Sequence, residues 1–162
     1  MPDVKKDLVT LLRSNVDDTA PSVPWTNADD IVFADYDAHR DYPQVAVVSK
    51  DPVVPGGGQT AATGMDAGGG GPIQDRIWLT LVDCWGGPAD VDAYTDTDTH
   101  PDVVAAELAD EVFDVCFQGA DGAPSGYEWI TADPPREADD VEESPTHHRE
   151  QVTVRLKETH TP

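Results

Sequence analysis

The sequence predicts an α+β domain in which one mainly antiparallel β-sheet carries an N-terminal helix and a longer second helix. Three observations predict it. Apolar residues recur at helical spacing in two segments, and β-branched and aromatic residues form short runs between turn-forming residues. In chain order these segments are a helix, two strands, a long loop, a long strand, a helix and two strands. Residues 1–162 have the length of a single domain with its own core.

The first element is a short amphipathic helix over residues 3–15. The apolar residues on its buried face are Val4, Leu8, Leu11 and Leu12. The β-branched runs 31–34 and 44–49 then predict two strands, and the second ends near Lys50 before Pro52. The chain therefore begins by laying one helix on a sheet.

The glycine-rich segment 52–74 follows and is predicted to be a long loop or arm between adjacent strands. A Walker-type phosphate loop needs a lysine after its last glycine, and no lysine occurs between Lys50 and Lys157. The G-x-G-x-x-G pattern of dinucleotide sites is also absent. These observations argue against a nucleotide site, and no cofactor is expected.

The longest predicted strand covers residues 76–85, carries bulky side chains on both faces and is therefore central, with Gly86, Gly87 and Pro88 ending it. The second helix is predicted over Pro101–Phe117, with Thr99 and Asp102 as a capping box. Gly119 follows as a helix stop.

Two strands close the domain. The run 127–131 is the first, and an acidic surface loop over residues 132–147 separates it from the second. In the run 151–157 the apolar and polar residues alternate, which indicates a half-exposed antiparallel strand. Its inward-facing residues are Val152, Val154 and Leu156.

The charge of −22 arises from 32 acidic and 10 basic residues spread along the chain. A disordered acidic protein, a nucleic-acid mimic and a folded protein of a high-salt medium are the three interpretations of such a surface. The apolar runs argue against disorder. Since molar salt shortens the Debye length to roughly 3 Å, dense like charge costs little stability there, and the composition favours a halophilic source.

Composition also limits the partners. Basic residues form no stripe, which argues against direct binding of nucleic acid. The sequence contains no run of about 18 apolar residues and no signal-like N-terminus, so a soluble protein that is neither exported by a cleaved signal nor bound to a membrane is expected.

Candidate metal and catalytic groups have simpler structural interpretations. A calcium loop starting at Asp96 would place Pro101 where glycine must make the turn. His147 and His148 point to opposite sides of an extended chain, and no spacing argument adds Glu142 or Glu143 to them. A solvated histidine pair and a solvated acidic loop over residues 90–98 are therefore expected.

Nucleophiles lack local partners as well. Cys84 and Cys116 lie in apolar segments and are predicted to be buried free thiols. Ser125 does not lie in a G-x-S-x-G motif. The sequence is therefore predicted not to be that of an enzyme, and neither a metal ion nor a catalytic residue is assigned.

The order of elements resembles the tail-terminator family of long-tailed viruses. The stretches that carry the resemblance are 76–85, 103–117, 129–131 and 148–156. With the halophilic composition, the resemblance implies a virion protein of a tailed virus of a salt-loving archaeon, assembled in the host cytoplasm. It further implies a hexameric ring that ends the tail tube and meets the head connector.

The resemblance and the residue types suggest which groups contact other subunits or neck proteins. The candidates are Gly56, Gly64 and Gly71 of the glycine-rich segment, with Arg76, Trp85, Arg149 and Arg155. Aromatic candidates for the interface are Trp25, Tyr36, Tyr42 and Trp85. The alternatives are a head–tail stopper or adaptor of the same neck, and a small halophilic cytoplasmic enzyme that binds a metal.

Overall fold

The computed structural model describes residues 3–16, 30–53, 76–88, 100–142 and 146–159. These ranges contain two α-helices, α1 (Val4–Asn15) and α2 (Pro101–Cys116). They also contain six strands: β1 (Val32–Phe33), β2 (Gln44–Val53), β3 (Ile77–Pro88), β4 (Tyr127–Ala132), β5 (Arg136–Glu137) and β6 (His147–Glu158). The predicted α+β class is confirmed, with both helices at the expected places in the chain.

The strands form one sheet in the order β1-β2-β3-β6-β4, and β5 also pairs with β6. Only β1 and β2 are parallel among the described pairs; the others are antiparallel. β3 lies between β2 and β6, which confirms its predicted central position. β6 is equally central, since it pairs with β3 on one side and with β4 and β5 on the other.

Both helices pack on one face of the sheet and enclose the core. Alternate residues of β6 point into it, and Val152, Val154 and Leu156 are fully buried as the alternation predicts. Opposite them lie Leu8 and Leu12 of α1 and the α2 residues Val104, Leu108 and Val112. Leucine and valine dominate this layer, so its stability derives mainly from apolar burial.

α1 is fixed at both ends by polar contacts. Asp3 caps its N-terminus by accepting a hydrogen bond from the Lys6 amide. Near the other end, Nε and Nη2 of Arg13 both donate to the carbonyl oxygen of Val32, which ties the helix to β1. Tyr127 of β4 donates its hydroxyl proton to Asp7 over 2.9 Å.

α2 begins at a different cap from the one predicted. The Nδ1 atom of His100 accepts from the Asp102 amide, so the cap is His100, and Thr99 lies outside the described residues. Pro101 occupies the first turn, as expected. The helix ends at Cys116, one residue before the predicted end, with Phe117 as its C-cap.

Two strand boundaries and one predicted loop differ from the sequence interpretation. β2 continues through Pro52 to Val53 instead of ending near Lys50. β3 passes through Gly86 and Gly87 to Pro88, because a β-bulge between Trp85 and Gly87 absorbs the glycines that were expected to stop the strand.

The third correction concerns the predicted acidic loop over residues 132–147. It contains β5, and an isolated bridge joins Asp140 to His147. Residues 136–140 are therefore held against β6 by backbone hydrogen bonds.

Candidate functional site

The sheet face that points away from the helices carries a row of partly exposed apolar side chains. Ile77, Leu79 and Leu81 of β3 alternate with the core-facing residues and are each intermediate in exposure. Their partners on β6 are Lys157, Arg155 and Thr153 in that order. Beyond β6, Trp129 of β4 pairs with Lys157. We call this surface of β3, β6 and β4 the open sheet face.

Basic side chains line the open sheet face next to the apolar row. Arg155 donates to Asp133 over 2.8 Å, and Lys157 lies 2.9 Å from Glu128. The Arg155 and Asp133 side chains are 39% and 54% exposed, so the ion pair is solvated and weak. The predicted contact residue Arg155 is therefore at the surface.

A buried polar cluster lies at the other end of the same face. Asp83 of β3 is 3% exposed and accepts hydrogen bonds from Arg149 over 3.1 Å and from Gln151 over 2.8 Å. Arg136 of β5 donates to the side-chain oxygen of Gln151. Each of these side chains has a hydrogen-bond partner within the cluster. The cluster therefore positions β3, β5 and β6 relative to one another.

Aromatic side chains cover this cluster. Tyr36 stacks on Trp85 with ring centroids 4.4 Å apart, and the guanidinium of Arg149 lies 4.8 Å from the Trp85 ring. The hydroxyls of Tyr36 and Tyr42 are 2.7 Å apart. Four of the predicted contact residues thus come together, but Trp85 is 5% exposed and offers little surface to a partner.

The remaining predicted contact residues lie elsewhere. Arg76 is on the helix side of the sheet, where its guanidinium lies 5.5 Å from the Trp78 ring and 3.9 Å from Glu158. Gly56, Gly64, Gly71 and Trp25 lie outside the described residues. The two cysteines are buried free thiols in the core, as predicted.

The two consecutive histidines occupy opposite sides of β6, as expected, but His148 is not solvated. Its Nδ1 lies 2.9 Å from Asp139, and both side chains are about 15% exposed. The His100 ring packs edge-on against it at 4.9 Å, while His147 lies near Tyr42 on the other side. The sequence interpretation missed this because Asp139 and His100 reach His148 only through the fold.

An acidic groove of about 380 Å³ adjoins His148 at the start of α2. Its acidic lining residues are Asp102, Glu137, Asp139 and Glu150. Burial raises the pKa of Glu150, and the nearby carboxylates of Asp110, Glu137 and Asp139 raise it further. Within the described ranges no three His, Cys, Asp or Glu side chains are arranged to hold a metal ion.

The other candidate catalytic and metal-binding residues that the structure describes do not lie together with this groove. Ser125 is exposed in the turn before β4. Glu107, which would be the twelfth residue of a calcium loop starting at Asp96, lies within α2, and residues 89–99 are outside the described ranges. Neither described helix has the length and hydropathy needed to span a membrane.

The sequence interpretation also missed Asp83 and the apolar row of the open sheet face. A carboxylate inside the run of residues 77–85 was the available signal, because a charge within a central strand requires a buried partner. Comparison of the chain with protein-family models gave no match, and comparison with curated proteins gave no significant match.

Proposed function

We propose that the protein is a structural component of the neck of a tailed virus, where it forms a ring that ends the tail tube and joins it to the head connector. The proposal begins from the resemblance in element order described above. The described elements follow one another as helix, strands, helix and closing strands, which is the order on which the resemblance rests. In this role the protein resides in the virion after assembly in the host cytoplasm.

The observation that carries the proposal is the open sheet face. In a chain with a net charge of −22, hydrated carboxylates occupy much of the surface. The open sheet face combines the half-exposed Ile77, Leu79 and Leu81 with the neighbouring cations of Arg155 and Lys157. An apolar strip beside basic side chains supports a subunit contact more than a catalytic role.

Mass measurement in molar KCl tests the ring directly. The purified chain is expected to form a closed oligomer of one size, hexameric by the resemblance, visible as rings in electron micrographs. Added to polymerising tail-tube protein, it is expected to bind one end of each tube and to limit tube length. A stable monomer over the micromolar range would contradict the proposal.

A stopper or adaptor of the same neck is the second candidate. It shares the ring but meets the connector and not the tube, so binding to the tube protein separates the two. The small metal-binding enzyme is the alternative from another class, and the acidic groove beside His148 is the feature that favours it. Tight uptake of one metal ion by a monomer would support the enzyme.

A further inference from the structure

We propose that the subunit contact is heterologous: the open sheet face of one copy receives the outer side of α2 from the next copy. This inference rests on the proposed function, because it requires the chain to assemble. Beyond the proposed ring, it identifies the two surfaces that meet, and every copy carries both of them.

The outer side of α2 carries an exposed apolar side chain near each end, with two aspartates between them. Val103, Asp110, Asp114 and Phe117 recur at intervals of seven, four and three residues, so they share one side of the helix. All four are exposed, and Val103 and Phe117 are the most exposed large apolar residues of this helix and its cap, at 43% and 59%. We call these four residues the helix stripe.

The helix stripe and the open sheet face are complementary in charge and in hydrophobicity. α2 contains five carboxylates and no basic residue, and two of the five lie in the stripe. The open sheet face presents Arg155 and Lys157 beside Leu79 and Ile77. Within its own copy each cation is paired with a carboxylate, Arg155 with Asp133 and Lys157 with Glu128, so the stripe aspartates of the next copy would join or replace these partners. Apolar groups from both copies would supply most of the contact energy, while opposite charges fix the orientation.

The helix stripe and the open sheet face lie on opposite sides of one copy, so a copy cannot use both of them in the same contact with one neighbour. α2 covers one face of the sheet through Val104, Leu108 and Val112, so the helix stripe points away from the sheet. The open sheet face lies on the opposite side of the domain. Each copy therefore offers one surface to the copy before it and the other to the copy after it, which gives a ring when the rotation closes.

Phe117 is suited to be the central anchor of the contact. Its ring stacks on Phe113 at 5.1 Å, so it is held in place although it is largely exposed. A preorganised aromatic side chain loses little conformational freedom on binding, and such groups contribute strongly to interfaces. The half-buried apolar row on the neighbouring copy supplies the surface against which it would pack.

Two variants and their mixture test the contact. Leu79→Asp places a carboxylate in the open sheet face, and Phe117→Asp places one in the helix stripe. Each variant alone is expected to be monomeric by sedimentation velocity in molar KCl. An equimolar mixture is expected to form a dimer, because each variant keeps the surface that the other has lost. Val141→Asp is the matched control, since Val141 is 73% exposed and belongs to neither surface.

The outcomes separate this contact from the proposed function. A monomeric wild type overturns both. A wild-type ring that survives either substitution, or a mixture that stays monomeric, overturns the contact alone. If Leu79→Asp fails to fold, two charge-reversal variants replace it. One combines Arg155→Glu with Lys157→Glu, and the other combines Asp110→Lys with Asp114→Lys. Each should weaken assembly more than tenfold at the lowest salt concentration that keeps the chain folded. The combination of all four substitutions should restore assembly, and its failure to do so would overturn the contact.

Discussion

Asp83 and Arg149 belong to the two central strands and join them through a hydrogen bond of 3.1 Å from Arg149 Nη1 to Asp83 Oδ2. The Asp83 side chain is 5% exposed and that of Arg149 is 27% exposed. Arg149 also donates to the carbonyl oxygen of Ala138 and packs against Trp85. This pair therefore links the sheet to the β5 segment and to the aromatic cover.

Removal of the Asp83 carboxylate should strongly destabilise the fold. Asp83→Ala leaves the Arg149 guanidinium and the Gln151 amide without their shared acceptor, and we expect a loss of about 2–4 kcal/mol in the free energy of unfolding. Asp133→Ala is the matched control, because it breaks the solvated pair with Arg155 and should cost less than about 0.5 kcal/mol. Urea denaturation measures both. Equal losses would contradict the role assigned to Asp83.

Gly86 should tolerate no side chain. A Cβ atom there would lie 1.8 Å from the carbonyl oxygen of Pro101, and the first turn of α2 would have to move. Gly86→Ala is expected to cost about 3 kcal/mol or more. At Gly119 an added Cβ meets no described atom within 4 Å, and only its φ of +65° opposes substitution. Gly119→Ala should therefore cost about 1 kcal/mol, and denaturation midpoints that rank the two variants the other way would refute this packing.

Both thiols should be unreactive in the folded chain. Burial raises the pKa of Cys116 to about 12 and that of Cys84 well above its ordinary value. Because the thiolate is the nucleophile, alkylation by iodoacetamide at pH 8 should be at least ~100-fold slower than in the urea-unfolded chain. Mass spectrometry of the alkylated products measures the rates. Rapid labelling of either cysteine under folding conditions would show that the core opens.

The same thiols make stability depend on pH in the alkaline range. A thiol whose pKa is raised on folding makes its full contribution to the free energy of unfolding below its unfolded pKa of about 8.5. That contribution is lost as the pH rises through the folded pKa, which is about 12 for Cys116. The free energy of unfolding should therefore fall between pH 8.5 and pH 12. Cys116→Ala should make the decline shallower in urea titrations across this range, and an unchanged slope would contradict the assignment.

Deletion of residues 56–71 should separate folding from assembly. Val53 and Ile77 pair directly across β2 and β3, so residues 54–55 and 72–76 can join the two strands. We expect the shortened chain to keep its cooperative unfolding and to lose ring formation or attachment to the tail or head. Circular dichroism and mass photometry check the two parts. Normal assembly into infectious particles would refute the role predicted for the glycine-rich segment.

The elements that the sequence predicted well carry strong local patterns. The apolar spacing of α1 and the alternation of β6 each specify an element without reference to the rest of the chain. The end of β3 could not be predicted in this way, because Gly86 stays in the strand by packing against Pro101 of α2. Tertiary contact overrides the local turn signal there.

The candidate site depends still more on long-range pairing. Arg149 meets Asp83 only because β6 inserts beside β3, and no spacing in the sequence encodes that neighbour. Residue type selected Trp85, Tyr36 and Tyr42 as interface candidates, and the fold brings the three side chains together. Their exposure depends on Arg149 and on each other, so the burial of Trp85 could not be predicted from residue type.

The central position of β6 has a consequence for biosynthesis. The ribosome makes β2 and β3 before β6, so the nascent chain carries one edge of β3 without its partner while the segment from α2 to β5 is being translated. Acidic residues are frequent throughout that interval, and their strongly hydrated carboxylates would keep the incomplete chain in solution even where salt screens charge repulsion. The surface that supports solubility in the finished domain thus also protects it during the minutes or seconds before its sheet is complete.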